Sequence, residues 1–181
     1  LEPLSSDSLT AEIVAKDQIN SFEVHLKFPG APNSSLFLKK TEKTSNKTIA
    51  VALTAEQVRS GFVDTEVVAS RAYDYSISTG LAADSPSTKP LAVSIPKDLS
   101  LSNFKEMQLD PKQAKVAGYY RLFLDDSAPL TTLGRNFSIA VEEIHSRNGV
   151  IQTFPEGQVG PVGLNGRVGG TLHIRAKRVV G

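Results

Sequence analysis

The sequence predicts an all-β protein of two consecutive β-rich domains, residues 1–96 and 97–181. Three observations carry this expectation. Apolar residues alternate at period two in several short runs, the clearest being Ser21–Phe28, with Phe22, Val24, Leu26 and Phe28 on one face. Turn-forming clusters separate those runs at intervals of roughly ten residues, the rhythm of a β-sandwich. From Gly157 to Gly169 a glycine falls at every third position, and a strand-like segment from Thr171 to Lys177 follows.

In the first half, strands are expected at Leu9–Val14, Ser21–Phe28, Ser35–Lys39, Thr48–Leu53, Gly61–Val68, Ala72–Ser78 and Leu91–Ile95. Pro29-Gly-Ala-Pro-Asn marks a turn after the second. Thr54-Ala-Glu-Gln-Val-Arg reads as one helical turn, with Thr54 as N-cap and Gln57 completing a capping box. In the second half, Tyr119–Leu124, Phe137–Ile144 and Val150–Phe154 are strand-like, and Pro111–Lys115, which follows Ser100–Lys105, reads as a short helical turn. Asp125-Asp126-Ser127, Leu133–Asn136 and Arg147-Asn148-Gly149 are the turns between them, with Asn148-Gly149 the strongest such signal.

Two stretches resemble known families. Phe62-Val-Asp64-Thr65-Glu-Val67, followed by Tyr73-Asp-Tyr75-Ser-Ile77, resembles the corner between two strands of fibronectin type III domains. The resemblance covers about residues 6–96 and implies a fibronectin-type or immunoglobulin-like sandwich. In it the Tyr73 hydroxyl returns to the backbone upstream. The family's Pro-Gly before that tyrosine is Ala69-Ser70 here, its tryptophan on the second strand is missing, and no Arg-Gly-Asp occurs. In the second domain, the spacing of Leu130-Thr-Thr, Phe137–Val141, Gly149–Thr153 and Gly170–Ala176 is similar to bacterial surface and adhesin-type repeat proteins with short β-solenoid coils. A second β-sandwich remains open beside the solenoid.

Composition narrows the function classes. A chain with 40% hydrophobic residues, 22% charged residues and net charge +1 has the material for a solvated surface around a buried core. No run approaches the ~18 apolar residues that would span a bilayer, so membrane insertion is not expected. Cysteine is absent, which excludes disulfides, thiolate metal sites and a cysteine nucleophile. A cysteine-free β protein rich in serine and threonine fits a bacterial secreted or cell-envelope protein. The first residues, Leu1-Glu-Pro-Leu-Ser-Ser-Asp7, hold no signal peptide, so one has been removed or the chain is a fragment. The closing Val179-Val-Gly181, straight after a strand, hints at further repeats.

Charge is uneven. Residues 1–85 hold 8 Lys/Arg against 11 Asp/Glu, and residues 86–181 hold 12 against 8. From Asn165 onward Arg167, Arg175, Lys177 and Arg178 meet no acid. This basic edge suits an anionic polymer. Nucleic acid is not expected, because aromatics do not interleave with the basic residues and the pI is near 8.1.

Catalytic signatures are missing. No Gly-x-Ser-x-Gly elbow and no Walker or dinucleotide fingerprint occurs, and no catalytic carboxylate pair stands out. His25, His145 and His173 lie far apart, none with a carboxylate or second histidine at metal-ligand spacing, so each reads as structural or solvated. Asp125-Asp126, with Asp110 and Glu142-Glu143, lacks the Asp-x-Asp-x-Asp-Gly calcium pattern and reads as a polar turn. Neither cofactor nor metal is expected, and the chain is read as a non-enzyme.

The glycine segment 157–170 has three readings. It is an ordered loop lying close to a sheet, a collagen-like trimer seam, or a flexible loop. The expected function is non-catalytic adhesion to a cell-surface or envelope polymer, a polysaccharide or protein partner, with polysaccharide preferred. Tyr119, Tyr120, Asn165, Arg167 and Arg175 are the expected contacts, since aromatic faces and planar guanidinium groups suit sugars and anions. A stalk or fibre segment assembling as a homotrimer is the alternative, and an accessory domain of a secreted hydrolase is the third.

Overall fold

A computed structural model of the protein describes residues 9–28, 35–100, 114–125, 130–131, 136–149, 151–152, 162–163, 166–167 and 172–181. The chain is all-β and divides into two compact units, Leu1–Ile95 and Pro96–Gly181.

The first unit runs β1 (Thr10–Ala15), β2 (Phe22–Lys27), β3 (Leu36–Glu42), β4 (Lys47–Leu53), α1 (Ala55–Ser60), β5 (Phe62–Asp64), β6 (Ala72–Ser78) and β7 (Leu91–Ser94). It forms two antiparallel sheets, ordered β1-β2-β5 and β4-β3-β6-β7. The period-two reading holds in detail: Phe22, Val24, Leu26 and Phe28 are buried, and so are Leu36, Leu38, Tyr73, Tyr75 and Ile77 of the other sheet. Alternate residues of both sheets thus face one interior, the packing of a sandwich. Thr54 caps α1 as its sequence implies. Its hydroxyl accepts from the Gln57 N–H at 3.2 Å, and the Gln57 side chain accepts from the Thr54 N–H at 2.9 Å.

A buried polar cluster bridges the two sheets. Tyr75 donates its hydroxyl to Asp64 Oδ2 at 2.6 Å, and Lys40 Nζ lies 2.7 Å from the same oxygen. Lys40 also donates to the Glu66 carbonyl at 2.6 Å, while Asp64 Oδ1 accepts from the Glu66 N–H at 2.9 Å. Burial, and then the Asp64 carboxylate, push the Tyr75 hydroxyl far above its ordinary pKa, so it stays a donor. These bonds to Glu66 explain why β5 stops at Asp64 although an apolar pattern runs on to Val68: the backbone beyond is held by side chains, not by a neighbouring strand. Just after it, the Val68 N–H donates to the Tyr73 hydroxyl at 3.0 Å. Ser70 between them has φ 67°, a left-handed conformation that glycine adopts more easily.

The second unit runs β8 (Leu99–Ser100), β9 (Ala114–Val116), β10 (Arg121–Asp125), β11 (Leu130–Thr131), β12 (Phe137–Ala140), β13 (Glu143–Arg147), β14 (Ile151–Gln152), β15 (Val162–Gly163), β16 (Gly166–Arg167), β17 (Leu172–Arg175) and β18 (Arg178–Val180). Three of its sheets are parallel: β18-β13-β10-β8, β17-β12-β9 and β11-β14. Apart from β15 and β16, which pair with each other, consecutive strands go to different sheets, and those of the three parallel sheets pair with counterparts one circuit away. That is a solenoid of stacked coils rather than a second sandwich. Leu99, Val116, Leu122, Leu124, Ile139 and Val141 make its core, with Tyr119, Ile144, Leu172, Ile174 and Ala176 packed against it.

Several local expectations change with that topology. Phe137–Ile144 is not one strand but two, β12 and β13, with a corner at Val141-Glu142. Ala114 and Lys115 belong to β9 instead of a helical turn, while 111–113 lie outside the described residues. Asn148 does adopt the left-handed conformation of a turn (φ 57°), yet the turn joins two sheets of the solenoid. Gly149 is required there for space, because a Cβ would stand 2.4 Å from Leu124 Cβ on the adjacent coil. Within the glycine segment, β15 and β16 pair antiparallel, Val162 opposite Arg167, so the chain doubles back at these residues. The rest of that segment lies outside the described residues.

Candidate binding site

The solenoid's corner between its β9–β12–β17 sheet and its β8–β10–β13–β18 sheet gathers the polar groups. Successive coils cross this corner at Lys97, Tyr120, Glu142 and Lys177, stitched by backbone hydrogen bonds. The Tyr120 N–H donates to the Lys97 carbonyl at 2.8 Å. The N–H groups of Glu142 and Glu143 donate to the Tyr120 carbonyl at 2.8 and 3.1 Å, and those of Lys177 and Arg178 to the Glu142 carbonyl at 3.0 and 3.1 Å. Neighbouring coils stand about 4.8 Å apart, as strands of a sheet must.

Side chains decorate this column with charge and aromatic surface. Lys97 Nζ sits 4.7 Å above the Tyr119 ring. Glu142 pairs with Lys177 at 2.7 Å, with side chains 44% and 78% exposed. The next column inward alternates in sign: Asp98, Arg121, Glu143, Arg178. Arg121 donates from Nε and Nη2 to the two Asp98 oxygens at 3.0 and 2.8 Å, and both side chains are buried. Glu143 accepts from Arg178 and bonds His145 Nε2 at 2.8 Å. Partial burial would raise the Glu143 pKa, but the His145 and Arg178 contacts outweigh it and hold the group below its ordinary value. Two positions on, the Phe123 and His145 rings stack at 4.9 Å and 23°.

Tyr119 and Tyr120 are not strand residues; β10 begins at Arg121 and both tyrosines lie in the corner, half-buried, with Tyr119 against the core. Arg175, at the end of β17, joins the same corner, its carbonyl accepting from the Val141 N–H at 3.0 Å. Its side chain shares an exposed sheet face with His173, Ser138 and Ala140, whose register is Ser138 opposite His173 and Ala140 opposite Arg175. The corner thus joins Tyr119, Tyr120 and Arg175, whereas Arg167 belongs to the separate β15–β16 pair. Asn165, Asp110 and Asp126 lie outside the described residues.

Two histidines do have a carboxylate beside them, contrary to the spacing argument. His25 Nε2 is 2.7 Å from Glu23 and His145 Nε2 is 2.8 Å from Glu143. Residues two apart on a strand share a face, a spacing that a search for metal-ligand motifs overlooks. Lys97 is not among the residues the sequence singles out, while Glu142 reads there only as part of a polar turn and Lys177 only as part of the basic edge. Their signal is a latent four-residue repeat, Lys-Asp-Leu-Ser (97–100), Tyr-Arg-Leu-Phe (120–123), Glu-Glu-Ile-His (142–145) and Lys-Arg-Val-Val (177–180), apolar at its third position. Among the described residues no group of three or more His, Asp and Glu side chains is arranged to hold a metal. No helix among them is long and apolar enough to cross a membrane.

Neither a protein-family model nor a curated protein matches the chain. Solved structures similar to it include the pectate lyase Pel3 from Pectobacterium carotovorum, at 13% identity and TM-score 0.32 over 77% of this chain and 47% of that one. Another is the pectate lyase PelI from Erwinia chrysanthemi in complex with tetragalacturonic acid, at 11% identity and TM-score 0.31 over 80% and 45%. The chain spans less than half the length of these proteins, and a likeness at this level establishes neither activity nor ligand.

Proposed function

We propose that the chain is a non-catalytic module of an exported bacterial surface or envelope protein and binds an anionic polysaccharide at the corner of its solenoid unit. The observation that carries this reading is the convergence of Tyr119, Tyr120 and Arg175, distant in sequence, on one hydrogen-bonded corner. Lys97 and Lys177 add cationic groups to the same column, and His173 extends the exposed face beside Arg175. Exposed ion pairs such as Glu142–Lys177 contribute only about 0–1 kcal/mol, so the lysine exchanges its partner for a ligand carboxylate at little cost. Stacked coils repeat every ~4.8 Å, which presents polar groups in a line to an extended chain.

Binding is favoured over catalysis because the corner's carboxylates are already neutralised by cations of the next coil. Glu143, held below its usual pKa, is ill-suited to acid–base work near neutrality. The first unit serves as a fibronectin type III-like spacer. Its β1-β2-β5 and β4-β3-β6-β7 sheets and the Val68–Tyr73 corner bond support that assignment.

A glycan array spanning anionic and neutral polysaccharides tests the proposal with wild type, Arg175→Ala and Lys177→Ala. Binding confined to anionic glycans, and weakened in both variants, supports it. A folded wild type that retains none of them counts against it.

A further inference from the structure

Strand β4 breaks the rules that keep sheet edges apart. Every residue from Lys47 to Ala52 is exposed, although Ile49 and Val51 pair in register with the inward-facing Lys40 and Leu38. Ile49 and Val51 are 38% and 36% exposed, lining a cleft of about 280 Å³ whose floor includes Leu38, Lys40, Phe62 and Asp64. Natural sheets blunt their edges with short strands, proline, bulges or mid-strand charge. The other edges of this sandwich comply: β5 has 3 residues, β7 has 4 and follows Pro90, and β1 carries Glu12 at its middle. Strand β4 has 7 residues, no proline, an unbroken register against β3 and no charge after Lys47.

We infer that β4 is a pairing edge for the β4 of a second copy of this chain, aligned antiparallel. Charge selects both the occupant and its direction. Lys47 opens the strand, and Glu56 stands exposed just past its far end, in the first turn of α1. An antiparallel self-pair brings the Lys47 end of each copy to the Glu56 end of the other, twice by symmetry. A parallel pair would set Lys47 against Lys47, and like charges opposite one another are destabilising. The contact joins the two β4-β3-β6-β7 sheets into one and covers Ile49 and Val51. This inference does not depend on the polysaccharide reading.

Sedimentation equilibrium of the full chain, from micromolar to millimolar concentration, tests it. The expected result is a reversible monomer–dimer equilibrium whose dissociation constant rises about tenfold or more in Val51→Lys, which places charge on the edge. Lys47→Glu and Glu56→Lys each weaken the dimer, and the double charge swap restores it. Neither position is in the core, so this cycle decides even if Val51→Lys fails to fold. A chain monomeric at every concentration overturns the inference. So does a dimer indifferent to the charge swaps, or a monomer whose β4 edge instead captures an unrelated extended peptide.

Discussion

Arg121 donates two hydrogen bonds to Asp98, at 3.0 and 2.8 Å, with both side chains buried in the solenoid unit. The pair locks β10 to the residues just before β8, a bidentate geometry that only arginine offers a carboxylate. Removing one partner strips the other, still buried, of two charge-assisted hydrogen bonds. Asp98→Asn is therefore expected to destabilise this unit by about 3–5 kcal/mol, and Arg121→Lys also to cost stability because it forfeits the fork. Urea unfolding followed by far-ultraviolet circular dichroism reads both. A loss below ~1 kcal/mol in Asp98→Asn contradicts the assignment.

The sandwich's bridging cluster makes a graded prediction. Tyr75→Phe removes one donor from Asp64 but leaves Lys40 and the Glu66 N–H in place, a loss of about 1–2 kcal/mol. Asp64→Ala strands the Lys40 charge and costs about 3–5 kcal/mol. Thermal unfolding of the two variants must preserve that order.

Backbone conformation separates three further substitutions. At Ser70, φ 67° disfavours a side chain, so Ser70→Gly is expected to stabilise the sandwich by about 0.5–1 kcal/mol. Gly149→Ala drives a methyl to 2.4 Å from Leu124 Cβ and 2.8 Å from its carbonyl carbon, and destabilises the solenoid by about 2 kcal/mol or more. Gly118→Ala meets nothing within 4 Å and carries only the strain of φ 85°, about 1 kcal/mol. Melting temperatures should rank Ser70→Gly above wild type, then Gly118→Ala, then Gly149→Ala.

These sites also show what the sequence discloses. Period-two alternation locates Phe22, Val24 and Leu26 because a sandwich strand buries one face along its whole length. The capping box at Thr54 and Gln57 is equally legible, being a bond pattern within four residues. The solenoid hides its rule at longer range. Arg121 meets Glu143, and Ile139 meets Ile174, only because whole coils stack, with the glycine segment interrupting the repeat. Phe137–Ile144 therefore read as one apolar run, since the corner at Val141-Glu142 carries neither glycine nor proline. The same stacking brings Lys97, Glu142 and Lys177 to Tyr120, which no local pattern announces. Only the basic run and the tyrosine pair pointed to that region.

Acid should loosen the corner. The folded pKa of Glu143 lies below its unfolded value, so its contribution is present at neutral pH and is lost as pH falls through the folded pKa. Unfolding of wild type and Glu143→Gln from neutral pH down to below the ordinary glutamate range checks the sign. The wild-type advantage should shrink as the medium acidifies. An advantage that grows with acid would reverse the assignment.

Polysaccharide binding by the corner is tested most directly by titration calorimetry with the anionic glycan retained best by the wild type, comparing Tyr120→Ala and Arg175→Ala. Loss of one aromatic face or one guanidinium contact should weaken affinity by about tenfold each, with thermal stability of the sandwich unit unchanged. Wild-type affinity in both folded variants would place the binding surface elsewhere and contradict the account.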